Sequence, residues 1–186
     1  MQVIPQSKKK KWTLQEYYKT PEGVYFEIIH GIKYMAPSPF KIHQQVSRDL
    51  SYLLITYTRK YDLGEILQAP LDVVLADDTV VQPDLIYISK DNKLIQGDTI
   101  KGTPDALMEI ISAGSVKKDR EIKMKLYCEA GVPEYWLIEP DHRSVEIYHL
   151  ENGLYKRYCY AAESGQVTSI AIAGFVLNVG ELFPVK

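Results

Sequence analysis

The run Ala106-Leu107-Met108-Glu109-Ile110-Ile111 restricts the fold of this chain more than any other segment. A strand that is apolar at successive positions buries both faces, so it belongs inside a sheet covered on each side. Glu109 interrupts it. A charged carboxylate without a partner is strongly unfavourable in such a setting, so Glu109 calls for a metal, a cation or a proton.

The flanking segments supply the layers. Thr13, Leu14, Gln15 and Glu16 fit a capping box that opens a short helix, which should end by Pro21 and Gly23. Val24 to Ile29 and Ile32 to Met35 flank His30-Gly31 as an antiparallel hairpin carrying Glu27. After Pro37 and Pro39, Ile42, Val46, Leu50, Leu53, Leu54 and Tyr57 recur at helical spacing, with His43 in the first turn. Glu65 to Leu75 and Val80 to Ser89 read as strands on either side of Asp77-Asp78, the second containing Asp84, and a polar loop runs from Lys90 to Thr103.

Ser112, Ala113, Gly114 and Ser115 lead into a helix from about Lys117 to Ala130, closed by Gly131 and Pro133. On a helical wheel Ile122, Leu126 and Ala130 centre one face, and Lys123 and Tyr127 lie at its edge. Glu134 to Ile138, Ser144 to Leu150, Leu154 to Tyr160 and Val167 to Ile172 read as strands, with Glu151-Asn152-Gly153 as a hairpin turn and a short element at Val179 to Phe183. This order predicts an α/β or α+β sheet with a helix on each face; the patterns leave the strand order open.

With 186 residues, 46% apolar and 25% charged, the chain can bury a full core, expected as one domain over 13–186 behind a flexible basic tail at 1–12. A formal charge of -2 offers no whole-molecule attraction to nucleic acid, so any such contact must be a local patch. The lack of a secretory pattern predicts a cytoplasmic protein, and no apolar stretch approaches the roughly 20 residues of a membrane span.

Asp84, Glu109 and Lys123 form the constellation with chemistry in it. Two strand-borne carboxylates can hold a divalent metal, and a helix-borne ammonium can steady a reacting water or growing negative charge, as phosphodiester cleavage requires. Taken singly, each has an ordinary explanation: a turn after Pro83, a buried ion pair, a lysine stem covering apolar surface. His43 is a secondary candidate beside its reading as a helix-start residue, and Tyr127 packs on the sheet with a hydroxyl able to reach a site carboxylate. Lys117 and Lys118, like Lys8 to Lys11, are solvated charge or phosphate contacts.

Pro83-Asp84, Glu109-Ile110-Ile111-Ser112, Asp119, Lys123, Tyr127, Gly131-Val132 and Glu134-Tyr135-Trp136 together resemble the signature of the Uma family of endonucleases, a branch of the PD-(D/E)XK superfamily. Glu27, Gly31, His43 and Ala69-Pro70-Leu71-Asp72-Val73 extend the resemblance to about residues 13 to 150. It implies a restriction-endonuclease-like core, a mixed central sheet flanked by helices with additional antiparallel strands. It also implies hydrolysis of DNA with Mg²⁺, or Mn²⁺ as a substitute, held by Asp84, Glu109 and the backbone carbonyl of Ile110, and no small organic cofactor.

The superfamily motif places a Lys where Ile111 stands, and the resemblance reassigns that cation to Lys123 and an auxiliary acid to Glu27. Ala113-Gly114 departs from the Pro-Ser common in the family. A homodimer follows from the resemblance, since two cuts need two sites. The alternatives are a catalytically inactive nuclease fold that binds nucleic acid or regulates, and an assembly module built on the Tyr-rich C-terminal strands.

Overall fold

The computed structural model describes residues 11–21, 23–35, 38–92 and 99–183. The basic tail through residue 10 and the middle of the loop expected from Lys90 to Thr103 therefore lie outside the described residues.

The capping box forms as the sequence predicts: Thr13 accepts from the Glu16 N–H and the Glu16 side chain accepts from the Thr13 N–H, opening α1 (Leu14–Tyr17). The hairpin β1 (Phe26–Ile29) and β2 (Ile32–Met35) turns at His30 and Gly31, both at positive φ, which matches strand twist in a two-residue turn. The long helix is α2 (Lys41–Tyr61), whose Val46, Leu50 and Leu54 are fully buried.

Each of the two long segments expected as single strands is broken in two. The first becomes β3 (Gly64–Gln68) and β4 (Val73–Ala76), the second β5 (Thr79–Val81) and β6 (Leu85–Ser89). The breaks fall at Pro70 and at Pro83, where a missing N–H ends ladder pairing. At both the chain changes sheets. Asp84 therefore sits just ahead of β6 rather than inside a continuous strand.

After the short β7 (Ile100–Lys101), which falls within the expected loop, comes β8 (Ala106–Ile110), every residue of it buried. The helix expected from Lys117 to Ala130 is two pieces, a π-helical turn Lys118–Lys123 followed by α3 (Met124–Glu129). Next come β9 (Glu134–Glu139), β10 (Ser144–Glu151), β11 (Leu154–Ala162) and β12 (Gln166–Thr168). The last is shorter than the expected Val167 to Ile172 and pairs with β13 (Val176–Asn178), which has no clear signal in the sequence. The terminal element is α4 (Val179–Leu182).

The large sheet has the order β11-β10-β9-β8-β6-β3, antiparallel except for the parallel β8–β9 pair. A second sheet, β2-β1-β5-β4-β7, mixes antiparallel pairs with the parallel β4–β7 pair. α2 and the C-terminal segments cover one face of the large sheet, with Leu50, Met108, Trp136 and Phe175 in that core. α3 and the second sheet cover the other, through Tyr127, Leu107, Leu137 and Ile29. β8 is thus covered on both faces, as its composition demanded.

Glu134-Tyr135-Trp136 is core. Glu134 accepts from the Trp136 indole N–H, the Ser169 hydroxyl and the Ile170 and Ala171 backbone N–H groups, fastening the segment after β12 onto β9. Glu134→Ala strands these donors and is expected to lower stability by about 3 kcal/mol or more; a urea midpoint unchanged from wild type would contradict that anchoring role.

Candidate active site

The sheet-to-sheet crossings build the site. Because Leu85 pairs with Met108, the antiparallel register of β6 and β8 sets Asp84 beside Glu109, and the Asp84 Oδ2 accepts the Ile110 N–H at 2.7 Å. The Gln82-Pro83 crossing brings the second sheet close: the Gln82 N–H donates to Glu27 Oε1 at 3.0 Å. The π-helical turn supplies the cation. π-bulges recur at functional sites, and this one ends on Lys123, whose side chain is only 2% exposed.

Lys123 Nζ lies 2.7 Å from Glu109 Oε1 and 2.7 Å from Glu27 Oε1, and 4.0 Å from Asp119 Oδ1. The Tyr127 hydroxyl donates to the same Glu109 Oε1 at 2.8 Å. Lys118 Nζ is 2.8 Å from the other Glu27 oxygen. At the mouth, where Asp84 is 18% exposed, His43 Nε2 is 3.2 Å from Asp84 Oδ2. Glu27, Asp84, Glu109, Lys123, His43 and Tyr127 are therefore one connected cluster. Lys117 is exposed, whereas Lys118 is largely occupied by Glu27.

The two acids that share Lys123 are driven in opposite directions. Burial raises the Glu27 carboxyl, but Lys123 and Lys118 outweigh it and bring it down to about 2. Burial raises Glu109 well above the ordinary carboxylate range, Lys123 opposes this incompletely, and Asp119, Asp84 and Glu27 add repulsion. Asp119 is likewise raised, chiefly by burial. Lys123 is held well above its ordinary value because the three acids outweigh its desolvation, and His43 is raised because its bond with Asp84 outweighs its burial.

A pH effect follows from Glu27. Its folded value lies below its ordinary 4.5, so its contribution is present above that pH and is lost as pH falls towards 2. Urea midpoints measured from pH 6 to 2 are expected to fall less steeply for Glu27→Gln than for wild type; parallel curves would show that the lysines do not hold this carboxylate.

The residue that the constellation itself omitted is Asp119. It is buried, its Oδ1 has no hydrogen-bond partner, and it adds a fourth carboxylate to a cluster holding two ammoniums. Its spacing of four before Lys123 was the available signal, blurred because a π-helical turn does not follow an α-helical wheel. As the side chains stand, no three His, Cys, Asp or Glu groups among the described residues converge at metal-coordinating spacing. The donor set nonetheless suits a hard divalent cation, being all oxygen, in carboxylate excess and with one buried oxygen orphaned.

The family model of Uma2, described as "Putative restriction endonuclease", matches residues 14–180. The chain belongs to the Uma2 family. A solved structure, that of "a putative nuclease belonging to DUF820" from Anabaena variabilis ATCC 29413, is similar to this Uma2 chain with a TM-score of 0.77 and 19% identity, over 92% of this chain and 97% of that one. At that identity the likeness speaks for the fold alone, an arrangement of mixed sheets and flanking helices. No curated relative matches this Uma2 protein. Among its described residues no helix is long and apolar enough to cross a membrane.

Proposed function

We propose that this Uma2 protein is a metal-dependent DNA endonuclease that hydrolyses a phosphodiester bond at Asp84, Glu109 and Lys123. The observation that carries the reading is the 2.7 Å contact of the buried Lys123 ammonium with Glu109, one residue along β8 from the Ile110 N–H that Asp84 grips. A structural ion pair explains Lys123 and Glu109; it does not explain why they are built against Asp84 at a solvent-open mouth.

Asp84, Glu109 and the Ile110 carbonyl would hold Mg²⁺, with Mn²⁺ as a substitute. When bound, the ion polarises the phosphate and makes water more acidic. Lys123 orients the attacking water and neutralises charge growing on the phosphorus oxygens. Tyr127 and Lys123 both donate to one Glu109 oxygen and so fix the direction of the other. Glu27 holds the Lys123 amine in place, and with Lys118 keeps a second cation at hand for the scissile phosphate. The water oxygen releases a proton to solvent as it bonds to phosphorus, the P–O bond to the leaving nucleotide breaks, and the leaving oxygen takes a proton from solvent water. Lys117 contacts a flanking phosphate, and a homodimer cuts both strands.

The test is incubation of the pure protein with supercoiled, linear and branched DNA in Mg²⁺, Mn²⁺ or chelator. Cutting is expected with either metal and none with chelator. DNA binding without cutting would instead favour the inactive nuclease-fold reading, and light scattering measures the dimer directly.

A further inference from the structure

Beside the acid cluster, on the far side of Gln82, lies a cavity of about 450 Å³ that the hydrolytic reading does not use. Tyr17, Asp72 and Gln82 form its polar end, and Tyr18 and Tyr25, each about half exposed, line its rim. Its volume is that of a small-ligand site. Its chemistry is more specific than its size.

Asp72 Oδ1 accepts the Tyr17 hydroxyl at 2.7 Å and the Gln82 amide N–H at 2.9 Å, and that amide also reaches the Tyr17 oxygen at 3.2 Å. The donors at this end are therefore spent on one another. Asp72 Oδ2 and Gln82 Oε1 accept no hydrogen bond among the described residues, so the cavity offers acceptors and a negative charge. Burial and Asp72 hold the Tyr17 phenol above its ordinary range, which keeps it a donor to Asp72. Such an end repels phosphate and receives N–H groups. The tyrosines at the rim offer flat apolar faces.

The cavity is also tied to the reacting centre. Gln82 gives its side chain to the cavity and its backbone N–H to Glu27, Phe26 precedes Glu27 in β1, and the Ala69 N–H beside the cavity's Pro70 donates to the Asp84 carbonyl at 3.1 Å. Gln82 and Asp84 are two residues apart, at most about 7 Å, which is on the order of two base steps along a stacked strand.

Resting on the nuclease reading, we infer that this cavity receives one unpaired nucleobase of the DNA, a nucleotide or two from the cleaved phosphate, stacked on Tyr25 and Tyr18 and read by Asp72 and Gln82 through its exocyclic amine. Cytosine, adenine and guanine carry that amine; thymine offers only its ring N3–H, a single donor held between two carbonyls. Inside a duplex both faces of the base are covered by its neighbours and it cannot lie against Tyr25 and Tyr18, so the substrate is single-stranded at this position or gives up the base by flipping.

The test is fluorescence anisotropy of the full chain with labelled oligodeoxycytidine, oligodeoxyadenosine and oligodeoxythymidine of equal length, in chelator so that nothing is cut. Wild type is expected to bind the first two about tenfold more tightly than the third. Asp72→Asn should remove that preference. Tyr25→Ala, on an exposed rim position where the fold tolerates truncation, should weaken all three by about tenfold. Equal binding of the three strands by wild type, or wild-type behaviour of both variants, overturns the cavity's assignment. Parallel Mg²⁺ cleavage assays separate the two readings: cutting without base preference sinks the cavity alone, and base-selective binding without cutting sinks the nuclease reading alone.

Discussion

Lys123→Met is expected to abolish cleavage and, in the same protein, to lower stability by about 3–5 kcal/mol, because it leaves Glu27 and Glu109 buried with their shared cation gone. For a chain of this length that is a fall in Tm of roughly 10 °C. Loss of activity in this variant is therefore not by itself evidence of a catalytic amine. The discriminating measurement is a double-variant cycle. If the stability loss comes from stranded carboxylates, Glu109→Gln added to Lys123→Met recovers part of the Tm while cleavage stays absent. A Lys123→Met protein as stable as wild type would mean that the ion pairs are absent in solution, and one that still cuts DNA would remove Lys123 from the site.

Asp84→Asn is expected to separate chemistry from stability. The amide oxygen can still accept the Ile110 N–H, and the side chain sits at the partly open mouth rather than beneath the sheet, so the Tm should change little. Cleavage should fall by about 10³-fold or more, since the substitution removes the charge that would hold the metal. Binding of Mn²⁺, followed without DNA, should weaken in parallel. Unchanged Mn²⁺ affinity together with full cleavage would relocate the metal to Glu27 and Asp119.

The contrast between these variants reflects how the site is assembled. Lys123 is simultaneously a structural cation and the proposed reacting-site amine, because one ammonium neutralises acids from both sheets. Asp84 belongs to the mouth, where His43 from α2 is its other neighbour. Stability is therefore expected to depend more on charge at the deep end of the cluster than at the mouth.

Part of this was legible in the chain. Glu109 was visible as a carboxylate in a strand that had to be buried, and the capping box, the His30-Gly31 turn and the Val46-Leu50-Leu54 stripe all form as their local chemistry requires. The resemblance also carried Glu27, Asp84 and Lys123 to the cluster. The breaks at Pro70 and Pro83 were read through, because the apolar pattern continues across both while the chain changes sheets. The π-helical turn was read as α-helix, since hydrophobic spacing over one turn does not distinguish the two.

Sequence alone determined that β8 is interior, that its carboxylate needs a metal, a cation or a proton, and that a helical segment bearing a suitable lysine follows it, because these depend on which residues are apolar and how they are spaced. Only the tertiary structure decided that the same lysine also holds Glu27, that Lys118 joins it, and that Asp119 is left with a bare oxygen. Those facts depend on the second sheet closing over the first through two proline crossings, and distances between segments that are far apart in the chain are set by that packing, to which local periodicity is blind.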